Sequence, residues 1–164
     1  MTEIITVVAN ISLALSFLVA LAFGLAQVRI ARRDRQERLT LESLRAFQTR
    51  EYAELVHYII SKDMPSTREG VDALPEKEQV MFINYSQKME ALGIMVAEGL
   101  IDIDLVDKTL GSFVFTTWEK YKPLFLNMRD RDPYIGEYFQ WLAERIDKRM
   151  KESPREPFYK NSSS

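Results

Sequence analysis

The chain has 164 residues, 46% of them hydrophobic and 28% charged, with no cysteine; this allows one modest core and excludes a disulfide framework or a thiolate metal site. The formal net charge of −2 is unevenly spread. Residues 1–28 carry a single charge, Glu3, five arginines follow between Arg29 and Arg38, and acidic residues outnumber basic ones beyond, which argues against nucleic acid bound through the folded part.

Residues 4–28 contain no charge. As a helix such a run rises about 37 Å, more than the roughly 30 Å of a bilayer's hydrocarbon core, and it predicts a transmembrane anchor over residues 1–28. A cleaved signal peptide would carry Lys or Arg ahead of the apolar run, where only Met1, Thr2 and Glu3 stand. A buried core helix of this length is more than so small a domain can wrap. Along the anchor, Ser12, Ser16, Ala20 and Gly24 recur every four residues, with Ala9 and Gln27 close to the same stripe. Small side chains at that spacing let a second helix approach closely, which predicts self-association. The alternative is chance, since Ala, Ser and Gly are common in membrane helices. Asn10, Ser12 and Gln27 are the candidates for groups facing the centre of an oligomer, because lipid leaves them unsatisfied.

The collar over residues 29–38 holds Arg29, Arg32, Arg33, Arg35 and Arg38. The positive-inside rule then puts the N-terminus outside and the rest of the chain in the cytoplasm. The collar also suits anionic headgroups, worth about 1 kcal/mol per basic residue at the surface. A topology signal alone explains it equally well.

A helical domain is expected over residues 39–150, and no segment alternates with a strand's period. Leu41, Leu44, Phe47, Leu55, Val56 and Ile59 share one face, and with no Gly or Pro between Gln27 and Pro65 the anchor is predicted to run on into this helix, with a bend at the collar. Residues 62–75 read as a loop in which Ser66 and Glu69 form a capping box for one short turn. A helix starting near Glu76 buries Met81, Tyr85, Met89, Leu92 and Val96 and stops at Gly99. Asp102 or Asp104 caps the next helix, with Leu105, Val106 and Leu110. Gly111 and Ser112 are predicted to separate it from a helix carrying Phe113, Phe115, Trp118, Tyr121 and Phe125, kinked at Pro123. Asp132 and Pro133 signal the start of the last helix, with Tyr134, Tyr138, Phe139, Leu142 and Ile146. The tail over residues 151–164 is expected to be disordered.

There is no glycine-rich phosphate loop, metal-ligand cluster or nucleophile motif, so no cofactor or metal is expected and the chain does not read as an enzyme. Asp102, Asp104 and Asp107 lack the glycine and closing glutamate of a calcium loop and read as helix capping. The single histidine, His57, stands seven residues after Arg50, a spacing that returns both to one helix face. The pair is similar to the Arg-(four to six residues)-His motif of HEPN-type helical ribonucleases, which act on RNA in a dimeric cleft. An interfacial histidine beside a solvated arginine is the simpler reading.

Leu44-Arg-Ala-Phe47, Leu92-Gly-Ile-Met-Val-Ala-Glu-Gly-Leu-Ile101, Trp118-Glu-Lys-Tyr-Lys-Pro-Leu-Phe125 and Tyr138-Phe-Gln-Trp-Leu-Ala143 resemble a bacterial family, the domain of unknown function numbered forty-seven sixty, in which a membrane helix and an arginine-rich collar precede a helical domain. The order of features is also similar to the membrane accessory proteins of type VI-B CRISPR systems. That second resemblance implies a HEPN-like bundle, a ring-shaped membrane pore and a part in antiphage defence, with Arg50 and His57 as the only carried-over motif residues. Three readings stay open: an oligomeric membrane protein acting as a pore, an anchored adaptor binding a protein partner, and a membrane-tethered ribonuclease.

Overall fold

The computed structural model describes residues 2–156 and 160. Among these residues the chain is all-α: α1 (Thr2–Ala46), α2 (Arg50–Ser61), α3 (Arg68–Asp72), α4 (Glu76–Ala97), α5 (Ile103–Met128) and α6 (Glu137–Glu152). The chain divides into two compact units, one up to Arg38 and one from Leu39 onward.

The first unit is the greater part of α1. Residues 4–28 are all exposed, and the helix is long and apolar enough to cross a membrane. Helical structure continues through the collar, where Arg33 pairs with Glu37 one turn on at 3.2 Å.

The second unit opens with the last two turns of α1. Thr40 is fully buried there, and its hydroxyl accepts the Asp102 N–H at 3.0 Å. The helix expected to run on from the anchor to the loop at residue 62 breaks instead at residues 47–49. Thr49 ends it by capping α2: its hydroxyl accepts the Tyr52 N–H at 3.2 Å, satisfying a donor that a new helix leaves orphaned. The Phe47 ring meets Tyr52 edge-on at 4.9 Å across the break, a favourable contact in place of the lost helical bonds. Neither Gly nor Pro is involved.

Three further boundaries differ from the sequence reading. The residue capping α3 is Thr67, whose hydroxyl accepts the Gly70 N–H at 3.3 Å, and not Ser66. Gly111 and Ser112 lie within α5 and do not divide it; Gly111 is buried where a side chain would meet Asp107 and Ile146. Asp132 and Pro133 begin a turn rather than α6. The Asp132 carboxylate accepts the Tyr134 N–H at 3.0 Å, and α6 starts only at Glu137, after Gly136 at φ 70°. The left-handed conformation at Gly136 and the Phe125 ring against it leave no place for a side chain.

Other expectations match. Glu76 and Glu78 occupy the first turn of α4, Gly99 just past its end has φ 67°, and Asp102 caps α5. The tail expected over residues 151–164 is shorter at its start, since Lys151 and Glu152 close α6. Residues 153–156 are exposed without regular structure, and the rest of the tail apart from Lys160 lies outside the described residues.

An aromatic cluster on α4, α5 and α6 forms the centre of the core. Trp118 stacks on Phe125 at 5.6 Å and meets Phe139 edge-on at 5.2 Å, while Tyr85 meets Phe139 edge-on at 5.9 Å. Such pairs contribute roughly 0.5–1.5 kcal/mol each beyond burial. The expected face of α4 is largely right, but Phe82 is buried and Met81 only half-buried.

Candidate functional site

Three places carry the candidate residues: the exposed face of α1, the outer face of α2, and the surface where α4 meets the turn before α6.

On α1, Ser12, Ser16, Ala20 and Gly24 are all exposed, and a Cβ added at Gly24 would meet nothing within 4 Å. At about 100° per residue, the four span roughly 120° of the helix surface, and Gln27 falls near the middle of that stripe. Asn10 does not. It lies about 100° around the helix from the stripe's centre, so it faces a different direction from Ser12 and Gln27. The collar arginines are likewise exposed.

On α2, Arg50 and His57 both sit on the exposed face. The Arg50 side chain, 93% exposed, pairs through Nε with Glu54 at 2.8 Å. The buried face of the same helix, Tyr52, Leu55 and Ile59, points into the core. The sequence spacing therefore puts the two residues on the surface of the helical domain.

The third place is not among the sites expected from the sequence. A mainly apolar groove of about 640 Å³ opens between α3, α4 and the turn at residues 129–136, with Ile83, Ala91 and Ile94 of α4 along one side and Tyr134 and Ile135 on the other. Glu90 stands within it. Its carboxylate accepts the N–H groups of Tyr138 at 3.1 Å and Phe139 at 3.4 Å, the orphan donors of an α6 whose own N-cap, Gly136, has no side chain to offer. Burial raises the Glu90 pKa above the ordinary glutamate value, against the two N–H bonds, which lower it. One turn along, Gly93 lies against the Tyr138 backbone carbonyl, and this lets α4 and α6 approach closely.

The turn on the far side of the groove is pinned from both ends. Arg129 donates from Nε to the Ile135 carbonyl at 2.8 Å and from Nη1 to Gln140 at 2.6 Å, with its guanidinium 6.0 Å from the Trp118 ring centre. Tyr134, at the crest of this turn, is 73% exposed. A smaller groove of about 300 Å³, lined by Pro133, Glu137 and Trp141 among others, lies on its other side.

The family described as a domain of unknown function (DUF4760) matches residues 11–146. The chain belongs to the DUF4760 family. Most of the apolar helix, the collar, Arg50 with His57, and the groove all fall inside the match. No curated protein and no solved structure matches the chain. The signal that could have pointed to the groove is the run Ile83, Gln87, Glu90, Ala91 and Ile94, which places apolar and polar groups together on the side of α4 away from its aromatic face.

Proposed function

We propose that this DUF4760 protein is a single-pass membrane protein that self-associates through its anchor, with the N-terminus outside and the helical domain held at the cytoplasmic face of a bacterial inner membrane. The observation that carries this reading is α1: residues 4–28 form a charge-free, mainly apolar stretch of helix, long enough to cross a membrane, with every side chain exposed. Water would make that surface costly, and lipid or a second anchor removes the cost. The five exposed arginines beyond it supply the orientation signal.

The similarity of this arrangement to the type VI-B CRISPR accessory proteins extends the reading to a membrane pore or effector in antiphage defence. The stripe containing Ser16, Ala20, Gly24 and Gln27 provides the packing face for such an assembly. A second reading, an anchored adaptor that binds a protein partner through its helical domain, is favoured by the groove beside Tyr134.

Topology and mass test the proposal together. A reporter fused after Met150 should behave as cytoplasmic and an epitope before Glu3 as external. Native mass measurement in mild detergent should show species above the monomer. The opposite accessibility pattern overturns the orientation, and a monomer in several mild detergents overturns the self-association and moves the adaptor reading ahead.

A further inference from the structure

Orientation in a membrane needs only positive charge, and the positive-inside rule counts lysine and arginine alike. The chain nevertheless has no lysine before Lys62, and all seven basic residues ahead of it are arginines. From Lys62 onward nine lysines stand beside six arginines, so the choice of arginine is local to the anchor side. What arginine adds is a planar fork of donors that grips a phosphate through two parallel hydrogen bonds. We propose that Arg29, Arg32 and Arg33 form a binding site for the phosphate of an anionic phospholipid in the leaflet beside the collar. This rests on the membrane-anchor reading and gives the collar a ligand besides an orientation signal.

The three arginines are neighbours on one turn of α1. Residues three and four apart on a helix stand about 5–6 Å from each other at Cβ, so Arg29 adjoins both Arg32 and Arg33. Like charges at that spacing repel and weaken the helix. No helix end calls for them, since α1 continues to Ala46 and its carbonyls at the collar are taken up within the helix. Arg29 and Arg32 form no ion pair among the described residues, and Arg33, its side chain 80% exposed, gives only Nε to Glu37 at 3.2 Å. A phosphate among the three guanidiniums relieves the repulsion and occupies their outward-facing donors.

Position selects a lipid as the source of that phosphate. Arg29 directly follows Val28, the last residue of the charge-free run, and Arg33 lies about 6 Å further along the axis. The headgroup layer on each side of a bilayer is roughly 5–8 Å deep, so the three side chains span it. A nucleic acid fits less well, because acidic residues outnumber basic ones beyond the collar. The site also stays open when the anchor packs. Measured around the helix from Gln27 at the centre of the small-residue stripe, Arg29, Arg32 and Arg33 lie about 160°, 140° and 120° away, whereas Asp34 lies about 20° away. A copy seated on the stripe therefore leaves the three arginines facing lipid.

The probe is phosphatidylglycerol, with phosphatidylcholine as the neutral control. The full chain in a mild non-ionic detergent is titrated with each lipid, and native mass measurement reads the lipid retained. Phosphatidylglycerol is expected at least several-fold above phosphatidylcholine. Arg29→Lys, Arg32→Lys and Arg33→Lys together keep the charge and the topology signal, and should cut that excess several-fold; Arg35→Lys with Arg38→Lys should leave it near wild type. Equal retention of the two lipids by the wild-type chain overturns the proposal. So does an excess that survives the triple exchange, or one lost equally in the double exchange. Displacement by inorganic phosphate beyond that by chloride of equal ionic strength assigns the arginines to soluble phosphate, and preferred retention of an added RNA oligonucleotide assigns them to nucleic acid; either overturns the lipid. The anchor reading fails separately: release of the wild-type chain from membranes by alkaline carbonate overturns both, whereas a chain that resists release and shows no lipid preference overturns this proposal alone.

Discussion

Glu90 belongs to α4 but caps α6, accepting the N–H groups of Tyr138 and Phe139 where Gly136 offers no side chain. Removing a helix cap costs about 1 kcal/mol, with a range of roughly 0.5–2. Glu90→Ala should therefore destabilise the domain by that amount, read from denaturant or thermal unfolding in detergent. The same carboxyl has a signature in pH. Burial raises its folded pKa above the ordinary glutamate value, so the folded state holds its proton more tightly than the unfolded one. Its contribution is then fully present below about pH 4.3 and is lost as pH rises through the raised value. Glu78 behaves oppositely. Hydrogen bonds from Lys62 at 3.1 Å and Tyr58 at 3.0 Å hold its carboxyl below the ordinary value, so its contribution is present above about pH 4.3 and is lost as pH falls through the lowered value. Between pH 3 and 7, Glu90→Gln should lessen the loss of stability on raising pH, and Glu78→Gln should lessen the loss on lowering it. Unfolding free energies that follow one slope for both variants would contradict the assignment.

At the scale of elements, α2 is held at each end by a different device. Thr49 caps its start locally, whereas its end is secured from α5. The Lys120 ammonium donates to the carbonyls of Ile59 at 3.1 Å and Ile60 at 2.9 Å and also to that of Lys62, and the Tyr121 hydroxyl donates to Ile59 at 2.6 Å. A cation at a helix C-terminus satisfies orphan carbonyls and opposes the negative end of the dipole. Lys120→Met keeps the stem and removes the donor, and a loss of about 1–2 kcal/mol is expected. Amide exchange should quicken first in the last turn of α2. Loss confined to α6 would show that this contact does not hold the helix. The pairing of α4 with α6 depends instead on Gly93, where a methyl group would press on the Tyr138 carbonyl, part of a helix backbone that cannot give way locally. Gly93→Ala should cost roughly 1–3 kcal/mol through overpacking.

For the molecule as a whole, the self-association proposed for the anchor can be tested separately from the fold of the helical domain. Replacing Ser16 and Gly24 with leucine keeps α1 apolar, so insertion should survive while close approach is lost. Interhelical polar contacts in membrane peptides are worth about 1–2 kcal/mol each, and such a term repeated around a ring decides between assembly and monomer. Membrane fractionation should show the double variant inserted as wild type is, and native mass measurement should show it shifted toward monomer. An unchanged oligomer would mean that another face of α1, such as the one carrying Asn10, makes the contact.

Composition and periodicity alone determined the all-α fold, the apolar helix, the arginine collar and most of the aromatic core, because each depends on residues a few positions apart whose side chains must share an environment. The charge-free run over residues 4–28 and the spacing of Tyr85, Met89, Leu92 and Val96 are local patterns of this kind. Tertiary structure decided where helices stop and what meets across them. Thr49 reads as a cap only because Phe47 and Tyr52 pack across the break, and Gly111 stays helical because α6 lies against it. The groove, the capping of α6 by Glu90 and that of α2 by Lys120 join residues dozens of positions apart. Their partners are brought together by packing of the core, and no local periodicity encodes that meeting.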